Sequence, residues 1–324
     1  MPEHPVSIAP EDAGTKTEDA SESSVPNLSP KVVPSTHADT IVSAPRANGV
    51  HPEADPATSL IHKFASGGRL PLSVTKNIAH QIGCHTKDIE RAALSQGILP
   101  ERYIRNTSQL SLKDQLRLLE SDVLLVGAGG LGGHVLDMLA RLGVGKITVA
   151  DGDTFEPSNL NRQLLSSTER LGCSKAEAAK DHATAVNPAV EVLVVNEFLD
   201  ASSLPEHIKG KQLVIDALGG LQTRLTLQKA AQQAGVPMVT AAVAGFSGYV
   251  GVVLPDEAGP AELLGTGDAS TTPVEDSLGT PAPVVACAAA MQCAEAVKIL
   301  TGKPHAKGIL FFDLNDRTFQ NVTL

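Results

Sequence analysis

The segment that most restricts what this chain can fold into runs from Asp122 to Gly143 and reads DVLLVGAGGLGGHVLDMLARLG. Five residues of unbroken strand-like character lead into a glycine-rich turn, and an amphipathic helical pattern follows at once. Gly127, Gly129 and Gly132 give the spacing G-x-G-x-x-G. The first glycine permits a tight turn, the second lets a phosphate approach the backbone, and the third lets the helix pack close to the strand. The unpaired N–H groups at the helix start then suit an anion. Downstream the same alternation repeats: KITVAD, VEVLVVN, KQLVIDAL and PMVTAAVAG read as strands, with SKAEAAKDHATAVNP and TRLTLQKAAQQAG as helices. GYVGVVLP and GILFFDL read as later strands around the helix APVVACAAAMQCAEAVKILTG. Strands separated by helices predict an α/β fold with a Rossmann-like, doubly wound, mostly parallel sheet.

Three regions are expected. Residues 1–58 are rich in Pro, Ser, Thr, Ala and acidic residues without periodicity, and are expected to be a disordered tail. Residues 59–100 predict a small helical appendage, with Val74, Ile78 and Ile82 at four-residue spacing, Thr86 as an N-cap and Gly97 as a stop. Residues 101–324 are expected to form one α/β domain. Within it, 256–282 is a Gly-, Pro- and Thr-rich stretch of a length that is usually functional or mobile.

Bulk properties exclude several classes. The net charge of -10 argues against nucleic acid and anionic membranes as partners. Neither an apolar run of 18 residues nor a basic, apolar N-terminal leader is visible, so the default location is cytoplasmic. The four cysteines, Cys84, Cys173, Cys287 and Cys293, include no C-x-x-C pair, so neither a zinc site nor a disulfide framework is expected.

The chemistry sits after the second strand. Asp151 ends it, 19 residues past Gly132, where a carboxylate suits the hydroxyls of a ribose. By themselves these features indicate a ribonucleotide, and NAD, FAD and ATP all fit. The loop DGDTFEPSNLNRQLL then places Asp151, Asp153, Ser158, Asn159, Asn161, Arg162 and Gln163 together. A dinucleotide site does not need an arginine and several amides here, whereas a triphosphate site does. Arg162 suits two phosphate oxygens at once, and Lys175, at the next helix start, is a second, mobile cation.

GAGGLGG, SNLNRQ, GCSK and NP resemble the adenylation domain shared by MoeB, ThiF, HesA and ubiquitin-activating enzymes, and ERYIRN is similar to that family's RYxRQ segment. With its helical pre-domain the chain looks closest to bacterial HesA-like members. The resemblance implies that Gly130 and its neighbours line the adenine and ribose side and Asp151 binds the ribose. It further implies that Asn159, Arg162 and Lys175 hold the phosphates of ATP. Arg105 would reach across the twofold axis of a homodimer into the partner's site. The reaction implied is attack by the C-terminal glycine carboxylate of a small ubiquitin-like carrier, of the MoaD or ThiS kind with a Gly-Gly terminus, on the α-phosphorus. One departure stands out: where the family reads Asp-x-x-Asp-Asn, with the second Asp on Mg²⁺, this chain reads DALGG. Asp216 is kept and Gly219 and Gly220 replace the pair. Either Asp216 takes over the metal, or ATP and water alone hold it, or the chain is a non-catalytic nucleotide- or carrier-binding module.

Overall fold

A computed structural model describes residues 56–263 and 277–323. The expected tail lies outside these residues except for its last three, which belong to helix α1 (Pro56–Phe64). Two more helices, α2 (Leu72–Ile82) and α3 (Thr86–Ser95), complete the appendage. A short parallel pair joins β1 (Arg69–Leu70) to β2 (Leu99–Pro100). The N-cap of α3 is His85, one residue earlier than expected: its ring accepts from Lys87 N, and the Asp88 carboxylate accepts from His85 N. Ile82 is exposed, while Ile61, Leu70, Ile78, Ile89 and Ala93 make the small core.

The appendage is fastened to the body by buried polar contacts. Glu90 of α3 is fully buried; it faces Arg102 at 3.2 Å and accepts from the Tyr103 hydroxyl at 3.0 Å. Asn187, in the NP motif, donates both to that hydroxyl (3.0 Å) and to Ala140 O (2.8 Å). Burial raises the Glu90 carboxyl above its ordinary range, although Arg102 and Tyr103 oppose the shift.

In the body, α4 (Leu112–Glu120) leads to β3 (Asp122–Val126), α5 (Gly130–Leu142), β4 (Lys146–Ala150), α6 (Lys175–Val186) and β5 (Glu191–Val195). Then come α7 (Leu204–Ile208), β6 (Leu213–Asp216), α8 (Leu221–Gln233), β7 (Met238–Ala244) and β8 (Ser247–Val253). A short α9 (Pro260–Leu263), α10 (Ala282–Thr301), β9 (Ile309–Asp313) and β10 (Thr318–Val322) finish the chain. The eight-stranded sheet runs β10-β9-β8-β7-β6-β3-β4-β5. Its β5-β4-β3-β6-β7 half is parallel and its β7-β8-β9-β10 half antiparallel.

Alternation along β3 explains the two-sided packing. Val123 and Leu125 join the core formed with α5, α6 and α10, while Leu124 and Val126 join the one formed with α7 and α8. From β3 the chain winds outward through β4 and β5, then returns to place β6 on the other side of β3. A crevice therefore opens at the carboxyl ends of the strands, where ligands of such sheets bind. By length and composition α10 could cross a bilayer, at mean hydropathy 1.5, which the sequence reading did not anticipate. In the fold it is a core helix, burying Val284, Val285, Ala288, Ala289, Cys293 and Ala296. Strand β10 left no signature in the sequence because all five of its residues are exposed.

Candidate nucleotide site

The glycine loop connects β3 to α5 over the end of β6. Gly127 has φ +98°, and a Cβ there would lie 2.5 Å from Ala217 O. A Cβ at Gly132 would lie 1.9 Å from Gly127 O. These two positions admit no side chain. Gly129 and Gly130 instead border the phosphate loop: Cβ positions there would meet Gln163 Nε2 at 3.5 Å and Arg162 Cγ at 3.8 Å.

Asp151 ties this loop to the next. Its Oδ2 accepts from Ala128 N at 2.7 Å and its Oδ1 from Asp153 N at 2.9 Å. A carboxylate oxygen has two lone pairs, so each keeps one for a ligand. Asp153 in turn forms an ion pair with Lys175 and accepts from Thr154 N at 2.8 Å. Burial alone would raise the Asp153 carboxyl, but the ammonium and the N–H hold it below the usual carboxylate range. Lys175 is 6% exposed. It is thus not the mobile cation the sequence suggested, because the Asp153 pair and the packing of the first turn of α6 hold it in place.

The SNLNRQ segment forms a tight turn. Asn159 is buried, and its Oδ1 accepts from Glu156 N at 3.0 Å, so its carbonyl end shapes the turn itself. Nη1 of Arg162 donates to Ser158 O and to Asn161 Oδ1, both at 3.0 Å. Its Nε and Nη2 have no protein partner among the described residues and stay available to an anion. Burial lowers the His134 pKa below 6.5, although the nearby Asp137 carboxylate and the Arg162 main chain oppose the shift. Gln163 was named in the sequence without a role. It is 7% exposed, its Oε1 has no hydrogen-bond partner, and its amide lies against Gly129. The structure thus brings together the glycine loop, Asp151, Asp153, Arg162, Gln163 and Lys175.

Two expected residues lie elsewhere. Asp216 is fully buried; it accepts from Leu218 N (3.0 Å), Arg224 Nη1 (2.9 Å) and Thr240 Oγ1 (2.6 Å). This corrects its assignment as a metal ligand, since the carboxylate is the hub of an internal network. Sequence reading missed Arg224, although a lone arginine eight residues past a strand-ending aspartate is a usable signal. Gly219 is exposed, and Gly220, at φ 77° and ψ 136°, adopts a backbone that L residues rarely take. Arg105 is exposed and lines an open groove with Met138, Arg141, Leu142, Ala294 and Val297. That groove lies near the far end of α5, roughly 16 Å along the helix from its own glycine loop at 1.5 Å per residue. Among the described residues no three His, Cys, Asp or Glu side chains group as metal ligands. All four cysteines are free thiols; burial pushes that of Cys293 up to about 12.

The chain is 36% identical over 235 residues to the SAMP-activating enzyme E1 of Haloferax volcanii, covering 68% of this chain and 84% of the relative. It is 30% identical over 227 residues to the sulfur carrier protein ThiS adenylyltransferase of Escherichia coli (69% and 90%). Against the molybdopterin-synthase adenylyltransferase of the same organism it is 34% identical over 215 residues (65% and 86%). Among solved structures, that of PaaA aligns with TM-score 0.59 at 29% identity, covering 69% of this chain and 72% of that one. MccB of Escherichia coli crystallised with ATP shares the fold, with TM-score 0.60 at 21% identity over 77% and 82%. Residues 102–324 match the ThiF family, and the chain belongs to that family.

Proposed function

We propose that this chain is an ATP-dependent adenylyltransferase acting on the C-terminal glycine of a small ubiquitin-like carrier protein. The observation that carries this reading is the cluster at the carboxyl ends of β3 and β4. There a glycine loop and a helix N-terminus lie beside a buried lysine and an arginine with free donors. The names of the relatives, which activate SAMP and ThiS or serve molybdopterin synthase, support the same substrate class.

In this reading the ribose is held by the spare lone pairs of Asp151, and the phosphates lie over Gly129 and Gly130, with Ser158, Asn159 and Asn161 shaping the turn that presents Arg162. A carboxylate oxygen of the carrier attacks the α-phosphorus, the bond to the bridging oxygen breaks, and pyrophosphate leaves with its electron pair. The products are a carrier acyl-adenylate and pyrophosphate. No side-chain nucleophile is needed; Arg162 and Lys175 position the reactants and neutralise developing charge. Among the described residues the donors do not fit a protein-held Mg²⁺, because Asp216 is occupied and Gly219 has no side chain, so no step is assigned to one.

Arg105 acts on the nucleotide of a second copy in a homodimer. Its own glycine loop lies at the other end of α5, and among the described residues its guanidinium has no partner. A second reading, a nucleotide- or carrier-binding module without turnover, is favoured by the missing carboxylate at Gly219. Isotope exchange between pyrophosphate and ATP separates the two. Exchange that requires a carrier ending in Gly-Gly, and is lost when those residues are removed, is expected; none with any carrier of this class would sink the enzymatic reading.

A further inference from the structure

We infer that this chain binds its nucleotide without giving the accompanying divalent cation a carboxylate from the described residues, so that Mg²⁺ does not tighten binding. The inference rests on the reading that ATP lies at the glycine loop, and holds whether or not turnover follows.

Among the described residues three carboxylates stand near the strand ends, and each is engaged. Both oxygens of Asp151 accept main-chain N–H groups that fix the glycine loop, and their remaining lone pairs go to the ribose in this reading. Asp153 is paired with the buried Lys175. Asp216 accepts three hydrogen bonds inside the core, and turning it toward the crevice would strand Arg224, 6% exposed, and Thr240, 3% exposed. Arg224 also donates to Ala241 O at 2.5 Å and to Leu218 O, which locks the turn from the other side. At 219 there is no side chain, and the conformation of Gly220 shows a turn rebuilt around glycine. Mg²⁺ in nucleotide sites usually takes one or two protein carboxylates besides phosphate and water oxygens. Here the described residues provide cations instead.

Linkage gives the sign. The effect of Mg²⁺ on ATP affinity equals the effect of the protein on the affinity of ATP for Mg²⁺. A protein carboxylate on the metal makes that coupling favourable. Without one, Mg²⁺ only neutralises phosphate charge and competes with Arg162 and Lys175 for the same oxygens, so the coupling is zero or unfavourable.

The test is calorimetric titration of the full chain with ATP, no carrier present, in EDTA and in saturating Mg²⁺ at matched ionic strength. The expected Kd in Mg²⁺ is equal to that in EDTA or weaker. Gly219→Asp, at an exposed position outside the left-handed region, is expected to reverse the sign, with Mg²⁺ tightening binding about tenfold, a common size for such coupling. Tightening of tenfold or more in the wild-type chain overturns the inference while leaving the nucleotide site intact. No binding in either buffer, or binding unaffected by Arg162→Ala, overturns the placement of ATP at the glycine loop and takes this inference with it.

Discussion

The carboxyl ends of β4 and β6 flank β3 and look alike in sequence: each strand ends in or beside an aspartate, with an arginine a short distance on. Tertiary structure uses them in opposite ways. After β4, Asp151 is satisfied by main-chain N–H groups, so Arg162 has no carboxylate partner and keeps donors for a ligand. After β6, Arg224 folds back onto Asp216 and both are buried. What separates an arginine with free donors from a buried, paired one is therefore whether the neighbouring aspartate already has its donors.

Gly127 touches both regions, since it follows β3 and lies against Ala217 at the end of β6. Gly127→Ala carries the largest expected effect: positive φ and a 2.5 Å clash together should cost about 3 kcal/mol or more. Loss of folded, soluble protein would show it, whereas Gly130→Ala, whose Cβ meets Val285 Cγ1 at 3.2 Å and Arg162 Cγ at 3.8 Å, should fold.

Arg224→Met sharpens the contrast next. It leaves Asp216 buried without its countercharge, and removal of one partner from a buried pair costs about 3–5 kcal/mol. Urea unfolding should show an unfolding free energy lower by that amount, and a neutral result would mean Asp216 can turn out to solvent.

Arg162→Ala should behave oppositely. Stability should move by no more than about 0.5 kcal/mol. Pyrophosphate exchange should fall on the order of a hundredfold, the usual consequence of losing one preorganised donor. Lys175→Met should lower exchange similarly but also lower stability by about 1–3 kcal/mol, because the lysine is buried. Near-normal exchange in either variant would put the phosphates elsewhere.

Arg105→Ala should abolish exchange by itself without lowering stability. Mixing it with Arg162→Ala subunits should restore up to about a quarter of wild-type activity, since half of the dimers then hold one intact site of two. No recovery after subunit exchange would remove the in-trans role.

The smallest effect concerns pH. Burial keeps the His134 pKa below 6.5, so the unfolded chain binds the proton more readily. Its contribution to stability is fully present above 6.5 and is lost as pH falls through the folded value. Thermal melts across this range should slope less in His134→Gln; an unchanged slope would mean His134 does not titrate differently in the folded chain.

The parallel α/β order, the glycine loop and the cation-bearing turn were legible because each depends on local pattern: apolar runs between helical periods, and glycine where a Cβ collides within a few residues. Strand β10 was not legible, since an exposed edge strand needs no apolar alternation and is defined by pairing with β9. Nor was the anchoring of the appendage, where Glu90, Tyr103 and Asn187 meet from segments up to 97 positions apart.

By itself the sequence determined the alternation of the main strands and helices, the family, and which residue types stand at the strand ends, because periodicity and motif spacing are properties of the chain alone. Only the tertiary structure decided which charges face a ligand. Lys175 proved fixed by Asp153, and Asp216 proved enclosed by Arg224 and Thr240. The reason is that a charged group is satisfied by whichever donor or acceptor the fold brings within about 3 Å. For Asp216 one of the three donors is Thr240 on a different strand, which no reading of neighbouring residues could have supplied.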